Sequence, residues 1–199
     1  MIAFDFEYYR PSTLEECIKV FQNLKVQGKR PIYYAGGTEI ICRARGNDNF
    51  FNAVVDIKSV EECNVLDERE NQLVIGSAVT LNKICEADIF PLLTMTSKWV
   101  ADNTSRNKIT IGGNICSAIP FKEAALPFLL CDSWAVIAEN NTIKTLPFKQ
   151  AFNEKMQLVD GTMLIQVRVH KNHIKVPFNG VRKQKIIRQN ILYCLWRQQ

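Results

Sequence analysis

The feature that most constrains this chain is a pair of adjacent glycines, Gly112 and Gly113, within the largely β-branched stretch 109–116. Strands disfavour glycine, so such a pair predicts a tight turn, a bulge or the close approach of another group. Glycine also permits positive φ and leaves the backbone bare to a ligand, and successive amides in a turn can form a concave anion site. Thr110 and Asn114 flank the pair with a hydroxyl and an amide. A plain turn and an anion-binding turn are both open at this point.

A second pair, Gly36 and Gly37, repeats the same pattern: apolar residues, two glycines, a polar residue and apolar residues again. The chain has nine glycines, and four of them lie in these two places. Two such turns could hold the two phosphates of one pyrophosphate from opposite sides. The residues therefore predict a possible diphosphate clamp, with the two glycine pairs facing each other across a cleft.

The remaining pattern predicts an α+β fold in two lobes that meet near residues 57–63. Ser12 and Glu15 form a capping box for a first helix, which ends at Gly28. Its buried face is expected to consist of Leu14, Cys17, Ile18, Phe21 and Leu24. Strands are expected at 31–35, 53–57, 64–66, 72–76, 134–138, 142–146 and 162–169, helices at 39–44, 80–85, 91–100 and 121–131, and a polar loop at 102–108. The expected division is a first lobe at 1–58, a second lobe at 59–184 and a basic tail at 185–199.

Composition is that of an ordinary globular protein, with 47% hydrophobic and 23% charged residues. No apolar run reaches the roughly 18 residues of a membrane span, and the N-terminus lacks the pattern of a signal peptide, so we expect a cytoplasmic protein without a membrane partner. The seven cysteines are scattered with no Cys-x-x-Cys, which indicates reduced thiols. His170 and His173 are expected at a strand end and a polar turn, and no metal site is expected.

Positive charge is concentrated at the C-terminal end of the chain. Residues 161–199 contain eight Lys or Arg and no acidic residue, whereas residues 1–160 hold 17 basic and 20 acidic residues. A basic stretch that includes Tyr193 and Trp196 is compatible with nucleic-acid binding. That function would leave the two glycine pairs unexplained, so nucleic acid is not the partner we expect.

The two glycine motifs in order, Ala35-Gly-Gly-Thr38 and then Thr110-Ile-Gly-Gly-Asn114, resemble the flavin-binding medium subunits of the molybdenum hydroxylases, a family that includes the subunits of xanthine, CO and nicotinate dehydrogenases. The resemblance runs from near Phe4 to about Gln184. It implies a two-lobed FAD-binding domain with FAD as its cofactor. Members of that family continue into a C-terminal domain, so we expect this chain to be truncated or frame-disrupted, with that domain missing.

The resemblance also implies which residues contact FAD, and it implies no catalytic or metal-binding residue. Glu123 is expected to contact ribityl or ribose hydroxyls, although the family more often has Asp there; the alternative is a solvated charge in a first helical turn. Leu164 is expected to pack near the isoalloxazine or else in plain sheet core, and Arg182 matches a basic position near the flavin. The diphosphate is expected to lie along a first glycine segment, residues 33–40 (Tyr33, Tyr34, Ala35, Gly36, Gly37, Thr38, Glu39 and Ile40), and a second glycine segment, residues 110–114 (Thr110, Ile111, Gly112, Gly113 and Asn114).

In function, the resemblance implies an electron-transfer subunit. Electrons would leave the substrate at a molybdenum centre, pass through iron–sulfur clusters, reach FAD in this chain and go on to NAD or another acceptor. The cysteine pattern offers no cluster ligands, so the cluster subunit and the molybdenum cofactor subunit would be partner chains, and a purine such as xanthine would be the substrate. Two alternatives stay open: a stand-alone flavin oxidoreductase of the same FAD-binding class, and a non-functional fragment with a nucleic-acid-binding tail.

Overall fold

The structure is a computed structural model that describes residues 2–48, 50–139, 141–184 and 191–197, with backbone alone for 182–184 and 191–197. Its N-terminal part is a parallel sheet in which the third strand lies between the first two. Every residue of that central strand is buried, as expected for a parallel strand covered on both faces. The elements are β1 (Glu7–Tyr9), α1 (Leu14–Val26), β2 (Pro31–Tyr34), α2 (Thr38–Arg45) and β3 (Ala53–Asp56).

Helix α1 confirms the predicted buried face and corrects the predicted cap. Its buried residues are the five expected from helical spacing. The cap is Thr13, which has extended dihedral angles and accepts a hydrogen bond from the amide of Glu16 through its hydroxyl. The Glu16 carboxylate in turn accepts from the amide of Ser12 at 2.9 Å. The predicted capping box is one residue early, because Ser12 with Glu15 and Thr13 with Glu16 have the same three-residue spacing.

The second part is built on an antiparallel sheet in the order β4-β5-β10-β6-β7. Short helices cover one face of it, and the expected α+β class is confirmed. Its elements are β4 (Leu66–Arg69), β5 (Gln72–Gly76), α3 (Leu81–Ala87), α4 (Pro91–Lys98), α5 (Asn103–Arg106), α6 (Ile111–Cys116), α7 (Leu126–Leu130), β6 (Ser133–Glu139), β7 (Thr142–Pro147), α8 (Phe148–Ala151), β8 (Phe152–Asn153), β9 (Lys155–Met156), β10 (Met163–His170), β11 (Phe178–Gln184) and β12 (Ile191–Arg197), with 3-10 turns at Glu61–Cys63, Glu123–Ala125 and Lys171–His173.

The strand expected at 64–66 lies at Leu66–Arg69, and two further stretches differ from prediction for local reasons. The expected polar loop at 102–108 contains the helix α5, because the Asp102 carboxylate accepts from the Ser105 amide at 2.8 Å and caps it. The expected single helix at 121–131 is a 3-10 turn followed by α7, with Pro127 in the first turn of α7. Proline is tolerated there because the first-turn amides have no intrahelical acceptor.

Helix α1 lies between the two sheets and joins their cores. Its buried face packs on β3 and also on residues of β6 and β10, including Val136, Met163 and Ile165. A bulge between Leu164 and Gln166 shifts the register of β10 against β6. Met163 before the bulge and Ile165 within it belong to the core that α1 shares, and Val167 after it belongs to the core on the opposite side of the sheet. The proposed lobe boundary near residue 58 stays a prediction.

Part of the expected basic tail forms a strand. Residues of β12 pair antiparallel with β11 along its whole length, from Phe178 opposite Arg197 to Gln184 opposite Ile191. Residues 185–190 and 198–199 of the tail lie outside the described residues, and so do the side chains of β12. Among the described residues, no helix is both long and apolar enough to cross a membrane.

Glycine allows backbone segments to touch in two places, one between the two parts of the chain and one within the second part. A Cβ on Gly36 would lie 1.8 Å from the carbonyl oxygen of Lys108 and 3.4 Å from the amide nitrogen of Thr110. A Cβ on Gly112 would lie 2.6 Å from Cβ of Ser77 and 2.7 Å from its carbonyl oxygen. The shortest distance at each glycine is far inside van der Waals contact, so packing alone requires glycine at these two positions.

We expect the substitution Gly36→Ala to destabilise the apo protein, because the new Cβ must push apart two backbone segments. Overpacking of this kind costs about 1–3 kcal/mol or more. The measurement is the midpoint of urea unfolding. Gly46→Ala is the matched control, since the atoms nearest to a Cβ there lie 3.5 Å away. Equal midpoints for the two variants would show that Gly36 does not hold the parts together.

Candidate functional site

Both glycine segments line a single cleft between the two parts of the fold, as the sequence predicts. Its volume is about 340 Å³, near the lower end of the roughly 300–1,000 Å³ of small-molecule pockets. The lining residues from the first glycine segment and its helix are Tyr33, Tyr34, Ala35, Gly36, Gly37, Thr38, Glu39, Ile40 and Arg43, and those from the rest of the chain are Ile57, Ser77, Ile109, Thr110, Gly112, Gly113, Cys116, Ser117, Ala118, Leu158, Thr162, Met163 and Leu164.

The first glycine segment turns the chain from β2 into α2. Gly37 has φ +71° and is the N-cap residue of α2, and its Cα lies so close to the ring of Tyr34 that a Cβ would be 2.3 Å from the phenol oxygen. Among the described residues, no side chain caps this helix. The amides of Thr38, Glu39 and Ile40 are therefore the N-terminal donors that lack an intrahelical acceptor. Together with the helix dipole they favour an anion in the cleft.

The second glycine segment is a helix and not the expected turn or bulge. Gly112 and Gly113 lie inside α6, and Thr110 is its N-cap. The cap hydroxyl accepts from the Gly113 amide at 3.1 Å, and the Thr110 carbonyl accepts from the Asn114 amide at 2.9 Å. The remaining first-turn amides, those of Ile111 and Gly112, donate to the carbonyls of Val79 and Ser77 at 2.9 Å.

All four first-turn amides of α6 thus already donate hydrogen bonds to acceptors within the protein. This differs from the expectation that backbone amides of both segments would neutralise a diphosphate. The two segments are chemically unequal: the first offers amide donors, and the second offers a close-packed wall whose glycines allow a ligand to approach. Gly113 is exposed on that wall, and a Cβ there would meet only the movable hydroxyl of Thr110, at 2.9 Å.

Helical geometry divides the second glycine segment between the cleft and the core. Thr110 and Gly113 line the cleft, whereas Ile111 and Asn114 are buried and lie outside its lining. The wall continues through Cys116, Ser117 and Ala118, which sequence reasoning missed. Helical spacing from Gly113 would have found Cys116 and Ser117, because positions three and four apart share a face, whereas Ala118 lies beyond the end of α6 and no sequence pattern indicates it.

The buried polar residues behind α6 brace the wall. The Asn114 side chain accepts from the Ala124 amide at 3.1 Å and donates to the Phe121 carbonyl at 3.4 Å. Glu123 follows in the adjacent 3-10 turn and is only 3% exposed. The alternative of a solvated charge at Glu123 is therefore wrong. Its predicted contact with cofactor hydroxyls stays a prediction, since Glu123 lies outside the lining of the cleft.

Lys122 holds the C-terminal end of α6. Its ammonium group donates to the carbonyls of Asn114 and Ser117 and to the Ser117 hydroxyl. The side chain is buried, and burial lowers the pKa of Lys122, while the nearby charge of Glu39 opposes that shift. The segment 117–118 of the cleft wall is thereby fixed from behind.

Glu39 connects the two walls across the cleft. Its carboxylate accepts from the amide of Ala118 at 2.9 Å and lies 3.6 Å from the guanidinium of Arg43, one turn along α2. Among the described residues that line the cleft, these are the two with formal charge, and they neutralise each other. An anion in the cleft would therefore meet amide dipoles more than side-chain cations.

The apolar side of the cleft comes from β2 and β10. Tyr33 stacks on Phe21 with ring centroids 4.1 Å apart, and burial raises the pKa of Tyr33, so its phenol stays neutral. Leu164 is 4% exposed, belongs to the sheet core and also lines the cleft. Both expectations for Leu164 are therefore compatible with its place. Arg182 lies in β11, with its side chain outside the described part of the chain.

We find no metal centre among the histidines and cysteines that the structure describes. Within the described residues, no group of three or more His, Cys, Asp or Glu side chains could hold a metal ion. His170 accepts from the Asn172 amide at 3.3 Å, and His173 lies 3.2 Å from the Asp132 carboxylate. The six cysteines whose side chains the structure describes are free thiols.

Comparison with known proteins identifies the family and the cofactor. The family described as the FAD binding domain in molybdopterin dehydrogenase matches residues 4–171. The xanthine dehydrogenase FAD-binding subunit of Escherichia coli O157:H7 is 29% identical over 150 residues, which cover 72% of this chain and 50% of that protein. The carbon monoxide dehydrogenase medium chain of Hydrogenophaga pseudoflava is 25% identical over 175 residues, covering 85% of this chain and 60% of that one. This chain therefore spans about half the length of the E. coli relative.

Solved structures with the same fold agree. The carbon monoxide dehydrogenase structure from Hydrogenophaga pseudoflava superposes with a TM-score of 0.81 at 22% identity, over 95% of this chain and 66% of that chain. Quinoline 2-oxidoreductase from Pseudomonas putida 86 gives a TM-score of 0.79 at 21% identity with the same coverage. The family resemblance, the fold class and FAD as cofactor, all expected from the two glycine motifs, are confirmed.

We expect Gly113→Ala to weaken FAD binding without destabilising the apo protein. A methyl group there would enter the cleft and would shift the Thr110 hydroxyl that caps α6. That cost is offset because alanine is the better residue inside a helix by about 1 kcal/mol. FAD affinity should fall by at least about tenfold, equivalent to about 1.4 kcal/mol, while the unfolding midpoint stays level or rises. Fluorescence titration with FAD and urea unfolding measure the two quantities.

Gly46→Ala serves as the control for Gly113→Ala, because Gly46 lies outside the cleft lining and a Cβ there would make only ordinary van der Waals contacts. Gly161 is unsuitable as a control, since its φ of +91° would strain any side chain. Unchanged FAD affinity in Gly113→Ala would place the cofactor away from this wall.

Proposed function

This chain belongs to the family of FAD-binding domains in molybdopterin dehydrogenases, and we propose that it is the electron-transfer subunit of a molybdenum hydroxylase. In this role it holds FAD between the iron–sulfur clusters of a partner subunit and NAD or another acceptor. FAD, when bound, supplies the two-electron redox chemistry. The residues of this chain bind and orient the cofactor and shield it from water.

The observation that carries the proposal is the pairing of an uncapped helix N-terminus with a glycine wall across one cleft. In the proposed binding mode the diphosphate lies against Gly36 and Gly37 and receives hydrogen bonds from the amides of Thr38, Glu39 and Ile40. The charge of the Glu39 carboxylate is offset by Arg43 at 3.6 Å and by the Ala118 amide, which reduces its repulsion of the diphosphate. A cradle closed by backbone in this way binds phosphate without a cationic side chain.

The second glycine segment plays a different part in the proposal. Gly113 lets the cofactor approach the wall, Gly112 packs against Ser77, and Thr110 keeps the first turn of α6 closed through its cap. Ile111 and Asn114 support the wall from the core, and Glu123 lies beside them. In the proposed binding mode the apolar flavin ring packs toward Leu164 and Met163. We also propose that Arg182 lies near the ring, as the family resemblance implies.

The partners and the reaction follow from the relatives. The E. coli relative is named as a FAD-binding subunit of xanthine dehydrogenase, and the Hydrogenophaga relative as a medium chain of carbon monoxide dehydrogenase. Both names imply further subunits in those complexes. We extend this to a cluster subunit and a molybdenum cofactor subunit for this chain, a purine such as xanthine as the substrate of the assembled enzyme, and a cytoplasmic location.

The test is to load the full chain with FAD and offer it NADH without oxygen. If NAD is the acceptor, the reverse reaction should bleach the visible flavin absorption in proportion to the NADH added. Bleaching by dithionite but not by NADH would exclude NAD and leave another acceptor. Failure to bind FAD, both alone and after coexpression with cluster and molybdenum subunits from its genome, would contradict the proposed function.

A further inference from the structure

A cluster of charged and aromatic side chains lies directly behind the first glycine segment. Asp56 ends β3 and is fully buried. Its carboxylate accepts hydrogen bonds from the phenol of Tyr8, from the amide of Lys58 at 2.9 Å and from the ammonium group of Lys58 at 2.6 Å. The bond to Asp56 raises the pKa of Tyr8 to about 12. A buried carboxylate with these partners is a fixed anchor for the lysine.

Lys58 extends this anchor to the residues that precede the glycine pair. Its ammonium nitrogen lies 3.2 Å from the carbonyl oxygen of Ala35 and 4.5 Å from the ring centroid of Tyr34. The second contact has cation–π geometry. Tyr34 in turn packs under Gly37, as the 2.3 Å approach of a hypothetical Cβ indicates. The ammonium group of Lys58 therefore contacts Tyr34 and Ala35, the two residues that precede the Gly36–Gly37 turn.

The contact with Ala35 determines how the next amide points. In a trans peptide the carbonyl and the following N–H point in opposite directions, so an Ala35 carbonyl held toward Lys58 turns the Gly36 amide away from it. Ala35 and Gly36 line the cleft, whereas Lys58 lies outside the lining. Lys58 thus acts on the cleft wall from behind.

We propose that Lys58 is a positioning residue for the cofactor diphosphate, holding the peptide between Ala35 and Gly36 in the orientation that the phosphate requires. This inference rests on the proposed function. An amide that is already positioned does not have to be ordered when the anion binds. Binding is therefore tighter by the free energy that ordering this peptide would otherwise cost. Asp56 and Tyr8 keep the lysine in place.

The test compares FAD affinity in the wild type, Lys58→Met and Lys58→Arg. Methionine keeps the length of the side chain but removes the donor, so the dissociation constant should rise by about tenfold. Arginine can still donate to Ala35 and Asp56 and stack on Tyr34, so it should restore most of the affinity. Lys144→Met is the control, because Lys144 pairs with Glu139 on the sheet edge, away from the cleft. Urea unfolding of each apo variant separates affinity from stability.

Lys58→Gln, which keeps a hydrogen-bond donor beside Asp56, serves if Lys58→Met does not fold, and the same loss is expected. Wild-type affinity in the folded Met or Gln variant would overturn the inference. So would an equal loss in Lys58→Arg, because the effect would not follow the donor. A wild type that fails to bind FAD would overturn the proposed function itself, which separates the two outcomes.

Discussion

The structure depends on two places beside the cleft where glycine allows backbone to meet backbone. Gly36 approaches the carbonyl of Lys108, and Gly112 approaches Ser77, each too closely for any side chain. The first contact joins the two parts of the fold and so helps to set the width of the cleft, and the second packs α6 against the end of β5 within the second part. Glu39 reinforces them with its bond to the amide of Ala118. The glycines that mark the family thus serve the architecture before they serve a ligand.

The two walls of the cleft differ in the number of free amide donors, although the two glycine motifs are similar in sequence. The first glycine segment leads into a helix whose N-terminal amides no described side chain caps. The second leads into a helix whose first-turn amides all have internal acceptors. With Glu39 and Arg43 paired, the attraction for a diphosphate comes mainly from α2. The second segment contributes shape, because its glycines have no side chains that would project into the cleft.

Prediction from the sequence is correct where the hydrophobic periodicity and the local residue chemistry indicate the same structure. The buried face of α1 was fully predictable from its spacing, and the glycine pairs led to the cleft and the cofactor. It failed at α6, where two glycines argue against a helix and the helix owes its place to bonds from distant residues, Ser77 and Val79. That error hid Cys116 and Ser117. The role of Lys58 was also invisible, because its contacts with Ala35 and Tyr34 exist only once β2 and β3 pair.

The central claim is that the first glycine segment supplies the amides for the diphosphate. The most direct measurement is a titration of the full chain, uniformly labelled with ¹⁵N, with inorganic pyrophosphate, which has no ring to disturb the signals. The amide signals of residues 36–40 should move most, and those of Gly112 and Gly113 should stay nearly fixed. Larger shifts at Gly112 and Gly113 would contradict the account.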